Sequence, residues 1–432
     1  MKKQSKAIVF SADALVYEDI QYLLTKPRFK ELYERGSAVK TMKTIYPTVT
    51  YPAHTSMSTG VYPEKHKITN NFLFVPGQIK NLPWEWFADS IKSPDMFTAM
   101  KKAGLTTASV FWPVTGNHKY IDYLIDEYWP QSKTDSIHDA LIRSGTTEEL
   151  YKVAVAPFLK NVTVRKHPET DELIIKACCA IIENYKPDFL ALHTGDVDAY
   201  RHKTGAFSPV VTKGVDDTEK DLYELMEATK RAGVYEETNF FLISDHGQMD
   251  IVRSIKLNAI FAENGLIKVE KDEVVDWDVW CHSTGMSAQI RLKDPNNKKI
   301  YDKTYALLTH LCDDGVYGIS KVYTTAEIKE LEHLDGPFSF VVETDGYTSF
   351  ADDFTRPLVK QLDLSDYRFG KATHGYLPDK GPQPVFFAFG PDIKSGVILE
   401  RRSTVDEAPT YAKILGAEMP WADGSPINEI IK

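Results

Sequence analysis

Residues 218–247 read TEKDLYELMEATKRAGVYEETNFFLISDHG, and the order of parts in this stretch decides the fold. The first half has helical character and stops at Gly233. NFFLIS is then apolar throughout, as a strand must be when both faces of its sheet are covered. Asp245-His246-Gly247 follows at once, an acid and an imidazole on a tight turn at a strand end. The same helix-then-strand order recurs when ELIIKACCAIIENY leads into DFLALHT, and when SPDMFTAMKKAG leads into TTASVF. In the last of these, Ser93 is the expected N-cap, Pro94 the first helical residue and Gly104 the stop. Near the end the order reverses, with VFFAFG before the helix-like VDEAPTYAKILG. Alternation of this kind predicts an α/β fold with a mostly parallel sheet sandwiched by helices.

Between 250 and 370 the grammar changes to short mixed segments such as MSAQIRL and FSFVVET, separated by charged loops. The sheet pattern resumes afterwards. Residues 1–249 and 371–432 therefore form the expected core, with 250–370 an inserted α+β cap subdomain. At 432 residues, 43% hydrophobic and 26% charged, the chain has ample material for such a core. A net charge of −10 argues against non-specific binding to nucleic-acid polymers or anionic membranes. It leaves room for a small anionic substrate, because a bound cation reverses the local field. The start, MKKQSKAIVFSADAL, lacks the long apolar stretch of a signal peptide, and no run reaches the roughly 20 apolar residues of a membrane helix. The four cysteines, Cys178, Cys179, Cys281 and Cys312, show no zinc-type spacing. A cytoplasmic location is the expectation.

In doubly wound sheets ligands sit beyond the carboxyl ends of the strands. After AIVF comes Asp13; after DFLALHT come Asp196, Asp198 and His202; after NFFLIS come Asp245 and His246. Singly, each acid reads as a cap or turn residue, Asp196 above all. Together, three strand ends bearing acids and histidines point to metal. Oxygen ligands with imidazole suit zinc, or manganese, better than calcium. With His374 from THGY the set is too large for one tetrahedral ion and divides into two sites. Two metals roughly 4 Å apart can grip the attacking and leaving oxygens of a phosphoryl group and ionise a hydroxyl nucleophile. Tyr46 to Gly60, YPTVTYPAHTSMSTG, supplies the hydroxyls, with Thr48, Thr50, Thr55 and Ser56 in competition.

The sequence resembles the nucleotide pyrophosphatase/phosphodiesterase family of the alkaline phosphatase superfamily. The resemblance runs through AIVFSAD, PTVTYPAHTSMSTGVYPEKHKITNN, AMKKAGLTTASVFWP, DVDAYRHKTG, LISDHGQ, THGY and VFFAFGPDIKSG. It implies an alkaline-phosphatase-like fold and a two-metal hydrolase of phosphodiester or pyrophosphate bonds in nucleotide-type substrates, working through a phospho-threonine. It implies Thr50 as nucleophile, and Asp13, Thr50, Asp245 and His246 as one metal site. Asp198, His202 and His374 are implied as the other, and Asn71 as the holder of a phosphate oxygen. Tyr51 and Trp112 are implied at the substrate, the latter with Pro113 in a Phe-Trp-Pro element.

His54 reads as a packed structural histidine and His66 as a loop residue without a partner. Two departures stand out: Arg201 where the family often has glycine, either reaching the substrate or facing solvent, and Gln248 after Asp-His-Gly. No arginine lies between Arg35 and Arg143, and a neutral asparagine at the phosphate suits a monoanionic diester better than a dianionic monoester. The alternatives are a carbon–phosphorus hydrolase resembling phosphonoacetate hydrolase, which needs lysines in the pocket, a phosphomonoesterase on the same site, and a non-catalytic binding protein. Lys65, Lys67, Lys119 and Lys203 are the lysines in question. The sequence leaves the oligomeric state open.

Overall fold

The computed structural model describes residues 5–432 apart from 161, 363 and 365–369. Eight strands form the main sheet: β1 Lys6–Ala12, β2 Ser37–Lys43, β3 Thr107–Val110, β4 Tyr123–Ile125, β5 Phe189–Thr194, β6 Thr238–Ile243, β7 Phe386–Phe389 and β8 Val397–Ser403. Their order across the sheet is β8-β2-β7-β6-β1-β5-β3-β4. Every pairing is parallel except the two made by β7, which runs against β2 and β6.

Helices cover both faces, and the strand side chains divide between them with the period of two that a pleated strand imposes. Ile8, Phe10, Leu190, Leu192, Phe240 and Leu242 enter one core cluster. That cluster is closed by α3 Glu169–Tyr185, α4 Asp196–Thr204 and α5 Pro209–Ala232. Ala7, Val9, Phe189, Ala191, Phe241 and Ile243 enter the other cluster, against α1 Thr50–Thr59, α2 Met96–Lys102 and α6 Glu407–Leu415. Each large side chain so buried contributes about 1.5–3 kcal/mol, and this double burial is why the strands are apolar throughout.

One boundary differs from expectation. The α2 helix starts at Met96, and Asp95 is its N-cap, not Ser93. The Asp95 carboxylate accepts both the Thr98 N–H and the Thr98 hydroxyl at 2.8 Å, and its other oxygen lies 2.8 Å from His118 Nε2. A carboxylate making three such contacts outcompetes a serine hydroxyl for the cap.

The segment 250–370, of which 363 and 365–369 lie outside the described residues, carries its own antiparallel sheet. Val279–Ser283, Ser287–Leu292, Phe340–Thr344 and Ile319–Thr324 pair in that order. Helices Lys298–Asp313 and Thr325–Glu332 accompany it, over a separate apolar cluster that includes Trp280, Ile290, Leu308 and Phe340. The Tyr46 hydroxyl donates to Glu343 at 2.8 Å, and Met286 N–H donates to the His374 carbonyl at 2.8 Å, so this segment braces loops that lead into the site. Among the described residues no helix is long and apolar enough to cross a membrane.

Candidate active site

The neighbouring strands β6, β1 and β5 end side by side, about 4.8 Å apart as strands in a sheet must be. Asp13 directly follows β1, and Asp245-His246 follow β6 by two residues. Asp198 stands in the first turn of α4, which starts two residues after β5. His202 lies one turn further along the same helix, on the same face. The carboxyl ends of three adjacent strands are thus brought to one point.

Two three-residue clusters result, Asp13–Asp245–His246 and Asp198–His202–His374, with the donor atoms of each within 4.8 Å of one another. In the first, His246 Nε2 is 3.2 Å from Asp245 Oδ2 and 3.6 Å from Asp13 Oδ1. In the second, His202 Nε2 is 3.4 Å from Asp198 Oδ2. The Nδ1–H of His202 donates to the Ala372 carbonyl at 2.8 Å, and that of His374 to the Thr48 carbonyl at 3.0 Å. A carbonyl only accepts, so each ring carries its proton on Nδ1 and turns the Nε2 lone pair to the cluster. The His246 and His374 rings stack at 4.0 Å and join the two clusters.

The electrostatics of the clusters differ. Burial, with Asp245 and Asp198 close by, pushes Asp13 well above the usual carboxylate range, and burial also raises Asp245. Burial opposes ionisation of Asp198 too, but His202 and His374 beside it pull its carboxyl below the ordinary value. Burial brings His246 down to about 4 and lowers His374 as well. Asp13 Oδ1 and Asp245 Oδ2 are buried and accept no hydrogen bond. Acceptor oxygens stranded beside a neutral imidazole fit a divalent cation in the first cluster, and the second offers the same donor types, with Asp198 Oδ2 3.4 Å from His202 Nε2.

Thr50 is the first residue of α1, and its Oγ1 lies 3.2 Å from His246 Nε2. The neighbouring hydroxyls are tied down elsewhere. Thr48 donates to the Tyr376 carbonyl, Thr55 to the Tyr51 carbonyl, Ser58 and Thr59 to the Thr55 carbonyl, and Ser56 meets His66 Nε2 at 2.9 Å. Asn71 Oδ1 accepts the Tyr51 N–H at 2.8 Å, which fixes the asparagine beside Thr50. Asn70 faces away, donating to the Ser283 carbonyl. His54 is buried, with Nδ1 2.9 Å from the Thr50 carbonyl and 3.5 Å from Asp245 Oδ2.

Several expectations are corrected. Trp112 does not reach the substrate cavity; it is fully buried and packs edge-on against His54 at 4.9 Å, while its neighbour Phe111 takes the cavity wall. Phe111 has φ +57, and the kink turns the two rings to opposite sides. Arg201 neither reaches the cavity nor faces solvent. It is buried, with Nε donating to the Ala14 carbonyl at 3.1 Å and the guanidinium bonded to Asp19 and the Ala206 carbonyl. His66 is likewise buried, at the end of the short helix Pro63–His66, with Nε2 2.9 Å from the Ser56 hydroxyl of α1 and Nδ1 accepting the Ile68 N–H. Asp196 lies outside both clusters, near Asp171 and Asp221. Gln248 has a definite place, donating to the Asp198 carboxylate and to its carbonyl.

Sequence reasoning missed His193, whose Nε2 is 3.1 Å from Asp13 Oδ2. A histidine in an otherwise apolar strand, one residue before its end, was the available signal. It also missed Trp84, Glu127, Trp129, Arg165 and His167, which line the cavity with Asp13, Thr50, Tyr51 and Asn71.

The family profile described as type I phosphodiesterase / nucleotide pyrophosphatase matches residues 7–376 of this chain. The chain belongs to the type I phosphodiesterase / nucleotide pyrophosphatase family. Among relatives in that family, mouse ectonucleotide pyrophosphatase/phosphodiesterase family member 1 is 27% identical over 247 residues, 56% of this chain and 24% of that protein. The chain thus spans about a quarter of the length of the first such relatives it matches. Human family member 5 is 24% identical over 437 residues, 98% of this chain and 76% of that protein. The solved structure of murine member 5 superimposes with a TM-score of 0.68 at 18% identity, covering 99% of this chain and all of that one. An inactive threonine-to-alanine variant of the murine protein, solved in complex with AMP, gives 0.69. The fold is that of the family and is alkaline-phosphatase-like.

Proposed function

We propose that this chain hydrolyses phosphodiester or pyrophosphate bonds in nucleotide-type substrates by way of a covalent adduct on Thr50. The observation that carries the reading is the position of Thr50 Oγ1, 3.2 Å from His246 where two ligand clusters meet, while the hydroxyls of its neighbours are engaged elsewhere. Asp13, Asp245 and His246, with Thr50, would hold one divalent ion, and Asp198, His202 and His374 the other, with zinc the best match to these donors. When bound, such ions supply positive charge to the phosphoryl oxygens and lower the pKa of a hydroxyl.

The residues of the chain do the rest. Thr50, as the alkoxide, forms the new O–P bond as the bond to the leaving group breaks. Water then cleaves the Thr50–phosphoryl ester. The Asn71 amide, anchored through the Tyr51 N–H, and the Thr50 N–H at the start of α1 point donors at a non-bridging oxygen. Tyr51, Trp84 and Trp129 provide an aromatic wall suited to a nucleobase. AMP bound to the murine relative supports a nucleotide for this chain as well. Carbon–phosphorus cleavage would need lysines at the site; Lys65 is paired to Asp423 and Lys67 to Asp335, and among the described residues that line the cavity there is no lysine.

The test is a substrate panel on zinc-loaded protein: a nitrophenyl nucleotide diester, a nitrophenyl monoester and phosphonoacetate. Turnover of the diester well above the other two is expected. Equal or greater monoesterase activity, or preference for phosphonoacetate, overturns the reading.

A further inference from the structure

His167, half-buried, and Asp171, buried, form a pair in the wall of the same cavity and belong to neither ligand cluster. His167 Nδ1 lies 2.5 Å from Asp171 Oδ2, and the other carboxylate oxygen accepts the Gly195 N–H at 2.8 Å. The acid is thereby fixed at the start of α3 and the imidazole is fixed by the acid. Asp171 is 3% exposed at its side chain and His167 22%, so the ring is the part of the pair that meets the cavity. Gly195, between β5 and α4, makes room for it: a Cβ there would stand 3.2 Å from His167 Cε1. With Nδ1 engaged, Nε2 is the remaining polar atom of the ring.

We propose that His167, oriented by Asp171, binds an anionic group of the substrate adjacent to the phosphoryl that Thr50 attacks, namely a second phosphate in a diphosphate-bridged substrate. This inference rests on the phosphoryl-transfer reading above and narrows its substrate class. A carboxylate on Nδ1 favours the imidazolium, and although burial opposes that charge, Asp171 prevails and raises His167 above the ordinary histidine value. Arg165 adds a second cation to the same wall, its guanidinium 4.4 Å from the Trp129 ring centre. Two divalent ions would carry four positive charges against three negative ones on Asp13, Asp198 and Asp245, which leaves one for the phosphoryl under attack. Any further phosphate brings its own negative charge and meets Arg165 and His167 in this wall, beside Glu127, whose carboxyl is lifted by burial to about 8. A simple diester with an uncharged leaving group has no use for them.

The experiment compares zinc-loaded wild type, His167→Gln, His167→Lys and Asp171→Asn on ATP and on the 4-nitrophenyl ester of thymidine 5′-monophosphate. The expected result is a fall of at least ten-fold in the ratio of kcat/KM for ATP to that for the nitrophenyl ester in His167→Gln. A smaller fall is expected in Asp171→Asn, and recovery to within three-fold of wild type in His167→Lys, which restores the cation. In parallel, inorganic pyrophosphate is titrated onto Thr50→Ala and onto Thr50→Ala/His167→Gln, with at least ten-fold weaker binding expected in the double variant. An unchanged ratio, equal losses on both substrates in all variants, or equal pyrophosphate affinity overturns the proposal. Should wild type cleave neither nucleotide substrate, the hydrolase reading fails, and the pyrophosphate titration still decides the role of His167.

Discussion

Asp13 and Asp198 line one end of the cavity, with Asp245 and His246 clustered beside Asp13, all at or just beyond the ends of three adjacent strands. At the other, Trp84, Trp129, Arg165 and His167 stand on connecting segments between elements. The first end is positioned by the register of the main sheet, with β1 paired residue for residue to β5 and β6. The second is positioned by edge-on packing of rings, such as Trp84 against Trp129 at 5.2 Å, and by the His167–Asp171 bond. Chemistry that must be held to a fraction of an ångström sits on rigid elements, while recognition sits on loops that can diverge without disturbing the sheet.

Substitutions at the reaction end and in the buried scaffold behind it are expected to separate in the same way. Thr50→Ala removes the proposed nucleophile and should lower kcat by about 10⁴-fold in steady-state assays, with the circular dichroism spectrum unchanged. Asp245→Asn should lower kcat/KM by about 10³-fold and reduce the zinc content of the reconstituted protein from about two ions per chain to about one, read by atomic emission. Gln248→Ala, which frees the Asp198 carboxylate, should weaken the affinity of a single metal by about 10–100-fold in a chelator competition. Arg201→Ala should leave kcat/KM within about three-fold. It should lower the unfolding free energy by about 3–5 kcal/mol in urea titration, because it strands the buried Asp19 charge. An Arg201 effect on turnover as large as that of Asp245 would erase the division between scaffold and site.

The reaction end was legible in the sequence because its physics is local. An apolar run followed by an acid states both where a strand ends and what it presents, and this found Asp13, Asp198, Asp245 and His246. The choice of Thr50 among five or six hydroxyls was not decided by composition; its register in the family motif singled it out, and in the structure the other hydroxyls have partners. The far wall was not legible, because Trp84 and Arg165 meet only through tertiary contact across some 80 positions, and no period or spacing announces it. Trp112 and Arg201 misled for the same reason. Which side of a loop or helix a ring or guanidinium takes is settled by packing, by the φ of Phe111 in one case and by Asp19 in the other.

The central claim is that Thr50 itself carries the phosphoryl group during turnover. Zinc-loaded protein mixed with the nitrophenyl nucleotide diester, quenched in acid within the first turnover and digested, allows the adduct to be mapped by tandem mass spectrometry. A nucleotidyl adduct on Thr50 in wild type, absent in Thr50→Ala, is the predicted result. An adduct on Thr48, Thr55 or Ser56, or undiminished turnover by Thr50→Ala, would contradict it.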